Sequence, residues 1–273
     1  MQIGLKLASW EKVPPDSAIH VNGTDIKKIF VSVDINQSDI YLAKTLKCDC
    51  VLTHHPIGIT RLQFHQVFDR HVKYMVDSGI KRKNAILLVK KLKEKVELRS
   101  HSAIYDDIVS TSKLLKMPLL NIHQPLDEYM REVILRKIEI SKLVSVSDLV
   151  NAIGAIPEFK NSLTRITVCN GKPTNNLGKW VLVVAAGSNG GFDIAKSYFE
   201  NGISTVIYLH IDYNELIKLR QANGNWNLVV LGHLAGDSIG MNAICTALEK
   251  LGLSVIKRGI IDSSINLTMQ MIL

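Results

Sequence analysis

Three stretches of this 273-residue chain bring imidazole and carboxylate groups to places where they could hold a metal ion. The first is Thr53-His54-His55-Pro56, which closes the apolar run Val51-Leu52. Adjacent residues at a strand end project in opposing directions, so His54 and His55 suit two neighbouring ions better than one. The second is Gly232-His233-Leu234-Ala235-Gly236-Asp237, directly after the apolar run that ends at Leu231. Residues four apart in a helical turn share a face, so His233 and Asp237 can converge on one ion. Asp237 would equally suit the N-cap of a helix over 238–251, whereas Gly232 permits a close backbone approach that a cap does not need. The third runs from Arg99 to Asp107 and offers Asp106 and Asp107, either of which could bridge two dications or cap a helix over 108–116. Imidazole with carboxylate and no thiolate suits zinc, iron or manganese rather than a closed structural zinc cage.

Other residues carry weaker signals. His210 ends the apolar run Thr205–Leu209 and could line the same cleft as a proton donor or as support for a ligand. Gly187-Ser188-Asn189-Gly190-Gly191 precedes a helical pattern and could cradle an anion on backbone N–H groups. It lacks the lysine of a P-loop and the spacing of a dinucleotide fingerprint. His65, His71 and His123 have no nameable partner and read as ordinary surface or core residues, while Arg61 and Lys73 are cations that could face the cleft. The four cysteines, with Cys48 and Cys50 one residue apart, form no disulfide framework or zinc knuckle and read as reduced, mostly buried thiols.

These groups must be positioned by alternating strands and helices. Asp25–Val33, Asp49–Thr53 and Pro118–Ile122 read as strands, with helices over 37–47, 62–78, 80–98 and 108–116 between them. The strand–helix–strand start implies a right-handed crossover and a parallel pair. Met130–Ile140 alternates as a strand would, and 146–153 reads as a helix. Strands over 163–168, 180–186, 205–209, 227–231 and 254–257 then alternate with helices over 192–201, 213–221 and 238–251. The expected class is α/β, with two similar lobes facing one another across a cleft: an N-terminal lobe over 1–125 and a C-terminal lobe over 126–273, which could interleave as one unit. Active groups of such sheets lie beyond the carboxyl ends of strands, where His54, His55, His210 and His233 fall.

A hydrophobic fraction of 47% supports a sizeable core. The apolar stretches are short and broken by charge, and residues 1–7 lack the core of a signal peptide, so a cytoplasmic protein with no membrane span is expected. The net charge of +8 is spread out, being densest over Lys81–Lys95 on a helix whose outer face is basic. That face could meet nucleic acid, although aromatics at 6% argue against a single-strand binder.

The whole pattern resembles the Nif-three-like dinuclear metal proteins, also called GTP cyclohydrolase one, type two homologues. The resemblance rests on Val51–Pro56, on Gly232–Asp237 opening a helix, on Asp34 with the helix over 37–47, and on the glycine turn 187–191. It spans about residues 20–262. It implies a centre of two divalent ions per chain held by His54, His55, Asp106, His233 and Asp237. Asp106 is the choice because Asp106-Asp107-Ile108-Val109 is similar to the family's middle motif after a one-residue insertion, with Asp107 in reserve. At the position of Asp237 many relatives carry glutamate. The resemblance further implies a toroidal homo-hexamer. Either a metal-dependent hydrolase acting on a nucleotide or other phosphorylated metabolite, with His210 as acid or base, or a non-catalytic metal-binding scaffold would fit.

Overall fold

The computed structural model describes residues 1–263 apart from 188 and 223. From the N-terminus run α1 (Gln2–Leu7), β1 (Ala18–Val21), β2 (Lys28–Ser32), α2 (Gln37–Thr45) and β3 (Cys50–Thr53). Next come α3 (Gly58–Gln63), a 3-10 segment (Phe64–Asp69), α4 (Arg70–Asp77), α5 (Arg82–His101) and α6 (Asp107–Leu114), ahead of β4 (Leu119–Asn121). Helices α7 (Gln124–Glu139), α8 (Val146–Gly154) and α9 (Pro157–Lys160) lead to β5 (Thr167–Asn170) and β6 (Trp180–Val183). The chain continues through α10 (Gly191–Glu200), β7 (Thr205–Tyr208), α11 (Tyr213–Gln221), β8 (Asn227–Val230), α12 (His233–Lys250) and β9 (Ser254–Arg258).

Two sheets result. The five-stranded one has the order β1-β4-β3-β2-β9, and the four-stranded one β5-β8-β7-β6. In each, the edge strand that comes earliest in the chain (β1, β5) is antiparallel and the rest are parallel. The α/β class and the parallel β2–β3 start are therefore as the sequence leads one to expect. β9 returns from the C-terminal half to pair with β2, so the seam at residue 125 is crossed by a strand. Parallel strands covered on both faces need continuous apolar runs, and β3 is buried at all four positions.

One expected element is overturned. Met130–Glu139 lies in α7 with Ile140 as its C-cap, not in a strand. Leu126, Met130, Ile134 and Ile138 recur every fourth residue and are all buried, which is one helical face. Pro125 sits in the first turn, where its missing N–H costs nothing. The face is shared between two cores: Leu126 packs with Ile122 and Met241 under the first sheet, while Met130, Ile134 and Ile138 pack with Leu182, Ile207 and Val229 under the second. Helix α12 divides itself likewise, with Ala235 and Ile239 against the second sheet and Met241, Ile244 and Cys245 against the first. These two helices form the layer between the sheets. Their approach is close: a Cβ at Gly240 would stand 2.5 Å from the Leu126 carbonyl oxygen, so only glycine fits there.

The basic helix α5 buries Ala85 and Val89, and two of its lysines pair outward, Lys93 with Asp69 and Lys95 with Glu215. Cys48, Cys50 and Cys245 are buried free thiols and Cys169 is half-buried, as expected. Among the described residues no helix is long and apolar enough to cross a membrane.

Candidate metal centre

All parallel strands of the first sheet point their carboxyl ends the same way, so the residues just after them share one edge. Asp34 follows β2, His54 and His55 follow β3, and His123 follows β4. At the corresponding edge of the second sheet His210 follows β7 and His233 follows β8. Helices α7 and α12 start at these edges and add Asp127 and Asp237, each one turn in. Gly232 opens α12 at φ +111°, a conformation that glycine adopts without strain, and a Cβ there would meet Thr164 Oγ1 at 2.9 Å. The helix thus begins at His233 rather than at residue 238, and Asp237 faces inward at 2% exposure instead of capping a terminus.

The resulting group is compact. His54 Nε2 lies 3.2 Å from Asp127 Oδ1 and 3.8 Å from Asp237 Oδ1. His55 Nε2 and His233 Nε2 lie 3.2 and 3.3 Å from Asp237 Oδ2. Ring centroids of His54 and His123 are 4.7 Å apart, and those of His55 and His233 are 5.0 Å apart. Three overlapping sets bring ligand atoms within 4.8 Å of one another: His54, His55 and His123; His55, His233 and Asp237; and His54, Asp127 and Asp237.

Outer contacts fix which ring nitrogen each imidazole offers. His54 Nδ1–H donates to the Ile122 carbonyl at 3.0 Å, and His55 Nδ1–H donates to Asp34 Oδ1 at 2.8 Å. His123 Nδ1 faces Asp16 Oδ2 at 2.7 Å, and Asp16 is itself buried beside Ser17, whose hydroxyl accepts from the His123 N–H. Each of the three therefore aims Nε2 at the common centre, the arrangement by which metal-ligating histidines are oriented.

The residues present fit a divalent ion. His54 Nε2 and Asp237 Oδ2 are buried without a hydrogen bond, although unpartnered buried polar atoms are costly. The donors are imidazoles and carboxylates, as zinc, iron and manganese accept. Without the ion, the charges compensate one another. Burial opposes a proton on His55, but the Asp237 carboxylate beside it and its hydrogen bond to Asp34 outweigh that and raise its pKa to about 10. Burial of His54 is outweighed in the same direction by Asp237 and Asp127. Asp237, though buried, is held below the usual carboxylate range by His54, His55 and His233. His123 is pushed down to about 3, chiefly by burial, so it stands neutral.

Of the five ligands expected from the sequence, His54, His55, His233 and Asp237 come together here and Asp106 does not. Asp106 is an exposed residue at the N-cap of α6, and it belongs to none of the metal-capable sets among the described residues; Asp107 is likewise exposed in the first turn. The places beside His54 are taken by His123 and Asp127. A His-x-x-x-Asp signal was present in His123–Asp127, with the same four-residue spacing as His233–Asp237. It stays hidden when α7 is read as a strand from residue 130, because only a helix beginning at residue 124 brings Asp127 back beneath His123.

His210 stands beside His233, ring centroids 4.7 Å apart, but outside the metal-capable sets. Asn189 Oδ1 accepts from the Gly191 N–H, which turns the Asn189 amide so that Nδ2 donates to His210 Nδ1 at 3.1 Å. Burial and the neighbouring His233 lower the pKa of His210 to about 4, so it is a neutral ring whose proton sits on Nε2. The expected anion cradle at 187–191, whose Ser188 lies outside the described residues, has its helix N-terminus already answered. Glu215 Oε2 accepts from the Phe192 N–H at 3.0 Å. Lys73 faces away and pairs with Asp77.

Comparison with known proteins agrees with this architecture. The model of the family Duf34/NIF3 (NGG1p interacting factor 3) matches residues 18–262. The chain belongs to that family. Its likeness to a NIF3 superfamily protein from Sphaerobacter thermophilus is 38% identity with a TM-score of 0.91, over 94% of this chain and 96% of that one. More distant matches show the shared NIF3 fold alone. Reduced HcgD from Methanocaldococcus jannaschii is 14% identical with a TM-score of 0.56, over 90% of both chains. A Bacillus cereus protein related to NIF3 is 8% identical with a TM-score of 0.53, over 94% of both. No curated protein matches the chain.

Proposed function

We infer that this NIF3-family chain holds two divalent ions, zinc, iron or manganese, and hydrolyses a phosphate ester of a nucleotide or another phosphorylated metabolite. The observation that carries the reading is the place of Asp237. Its Oδ1 faces His54, and its Oδ2 faces both His55 and His233, so one buried carboxylate addresses two neighbouring sets of ligands. His55, His233 and Asp237 would hold one ion; His54, Asp127 and Asp237, with His123 alongside, would hold the other. When bound, such a pair supplies Lewis-acid activation of water and of a phosphoryl oxygen.

The chain's own residues set the rest. Asp34, the Ile122 carbonyl and Asp16 keep three imidazoles in the orientation that coordination needs. In ester hydrolysis the water oxygen bonds to phosphorus, the ester P–O bond breaks, and the departing oxygen gains a proton. His210, whose Nδ1 accepts from the Asn189 amide, lines the cleft and would offer its Nε2–H to that oxygen, in keeping with the proton-donor role expected of it. The test is elemental analysis of the purified protein and of a His54→Ala, His233→Ala double variant, followed by a screen of phosphate esters. Two metal equivalents that vanish in the variant, with metal-dependent phosphate release, are expected. Unchanged metal content would end the reading, and full metal content without turnover of any ester would end its catalytic half.

A further inference from the structure

The histidines border a cavity of about 340 Å³ between α3, α5 and the carboxyl edges of the sheets. Its wall includes His55, His210 and His233 together with Arg61, Arg99 and Phe64, and among the described residues no carboxylate lines it. That contrasts with the neighbouring groove along α5, where Lys90 and Lys93 are mixed with Asp69, Glu94 and Glu97.

What sets Arg61 and Arg99 apart is that both line this cavity. Arg70 is tied to Glu128 and to the Ala185 carbonyl, and Lys93 and Lys95 have acidic partners. Among the described residues, the Arg61 and Arg99 guanidinium groups have no ion-pair or hydrogen-bond partner. Arg61 lies in the last turn of α3 and Arg99 in the last turn of α5, so two helix ends deliver two planar, permanently charged forks to one cavity. Phe64 is set by T-shaped contacts with Phe68 and His123, each with centroids 5.4 Å apart, which fix the plane of its ring at the cavity wall.

We propose that Arg61 and Arg99 determine the specificity of this site, and that its ligand is a phosphate monoester whose alcohol carries a flat ring. Two guanidinium groups match the roughly two negative charges of a phosphate monoester, whereas a lone carboxylate would leave one cation unanswered. Phe64 supplies the stacking surface for the ring, and His210 Nε2–H donates to the ester. A volume of about 340 Å³ admits a ligand of that size. The fate of the ester rests on the hydrolytic reading above, but its capture by the arginines does not.

Phenylphosphonate, whose C–P bond water does not cleave, and methylphosphonate serve as probes by titration calorimetry of the full chain at pH 8. Phenylphosphonate is expected to bind at least tenfold tighter than methylphosphonate. An Arg61→Met, Arg99→Met double variant should lose at least tenfold in phenylphosphonate affinity with metal content and melting temperature unchanged. Phe64→Leu should bring the two probes within threefold of each other while leaving methylphosphonate affinity as it was. Equal phenylphosphonate affinity in the arginine variant and the parent, or no binding by the parent, would overturn the proposal. Arginine-dependent binding in protein that carries no metal would uphold this site and sink the metal reading alone. Metal present without arginine-dependent binding would do the reverse.

Discussion

The carboxyl edges of the two sheets face the same centre but treat their histidines differently. At the first sheet's edge, the His54 and His123 side chains are 1% and 5% exposed and their Nδ1 atoms are held by a carbonyl and a carboxylate. At the second sheet's edge, the His233 side chain is 45% exposed, and His210 is held by one amide. Burial with a fixed tautomer makes a rigid ligand cage, and exposure leaves room for a ligand to approach. On the proposed reading the first edge would retain ions and the second would admit what they act on. Helix α12 joins the roles, since it begins at exposed His233 and reaches buried Asp237 one turn later.

The largest effect is expected where the two edges meet. Asp237→Asn keeps the shape but removes the charge that compensates His54, His55 and His233. The variant should lose both metal equivalents and, as the metal-free protein at pH 7, about 3–5 kcal/mol of stability, read by elemental analysis and denaturant titration. A stable, metal-replete variant would remove the basis for a shared carboxylate.

Next, the two edges can be set against each other. His54→Ala should abolish one metal equivalent and lower stability by about 2–4 kcal/mol, because it opens a buried polar cavity. His233→Ala should weaken metal binding yet change stability by less than about 1 kcal/mol, as an exposed position allows. Equal losses of stability at both positions would erase the contrast between a cage and an entrance.

The pH dependence sharpens it further. In the metal-free protein His55 has its pKa raised from 6.5 to about 10 by the neighbouring Asp237 and Asp34 carboxylates, which outweigh burial. A raised histidine stabilises the fold fully below its unfolded pKa of about 6.5, and that stabilisation is lost as pH rises through the folded value. Metal-free melting temperature should therefore fall between about pH 7 and pH 10. Metal binding at pH 7 should release protons, because the ligand must give up the one it holds. Calorimetry in buffers of different ionisation enthalpy measures that release, and a buffer-independent heat would contradict it.

The smallest effect is expected at Asp106. It is an exposed residue outside the centre, so Asp106→Ala should leave metal content unchanged and stability within about 0.5 kcal/mol. Loss of a metal equivalent would return Asp106 to the ligand set.

By itself the sequence determined the alternating α/β order, the burial of β3, and the three places where a histidine ends an apolar strand. These are local matters: parallel strands need unbroken apolar runs, and a strand end sets the position of the residue after it. His54, His55, His233 and Asp237 were legible for that reason. Asp106 and the His123–Asp127 pair were not separable in the same way, since the four-residue spacing of His123 and Asp127 counts only if a helix runs from residue 124. Only the packing of α7 between the two sheets decides among them, because it turns Leu126, Met130, Ile134 and Ile138 inward and so carries Asp127 under His54. Asp16 belongs to a stretch without local pattern, and it meets His123 only because β1 pairs with β4 across about a hundred residues of chain. A contact of that kind costs loop-closure entropy and leaves no period in the sequence, so tertiary structure alone could place it.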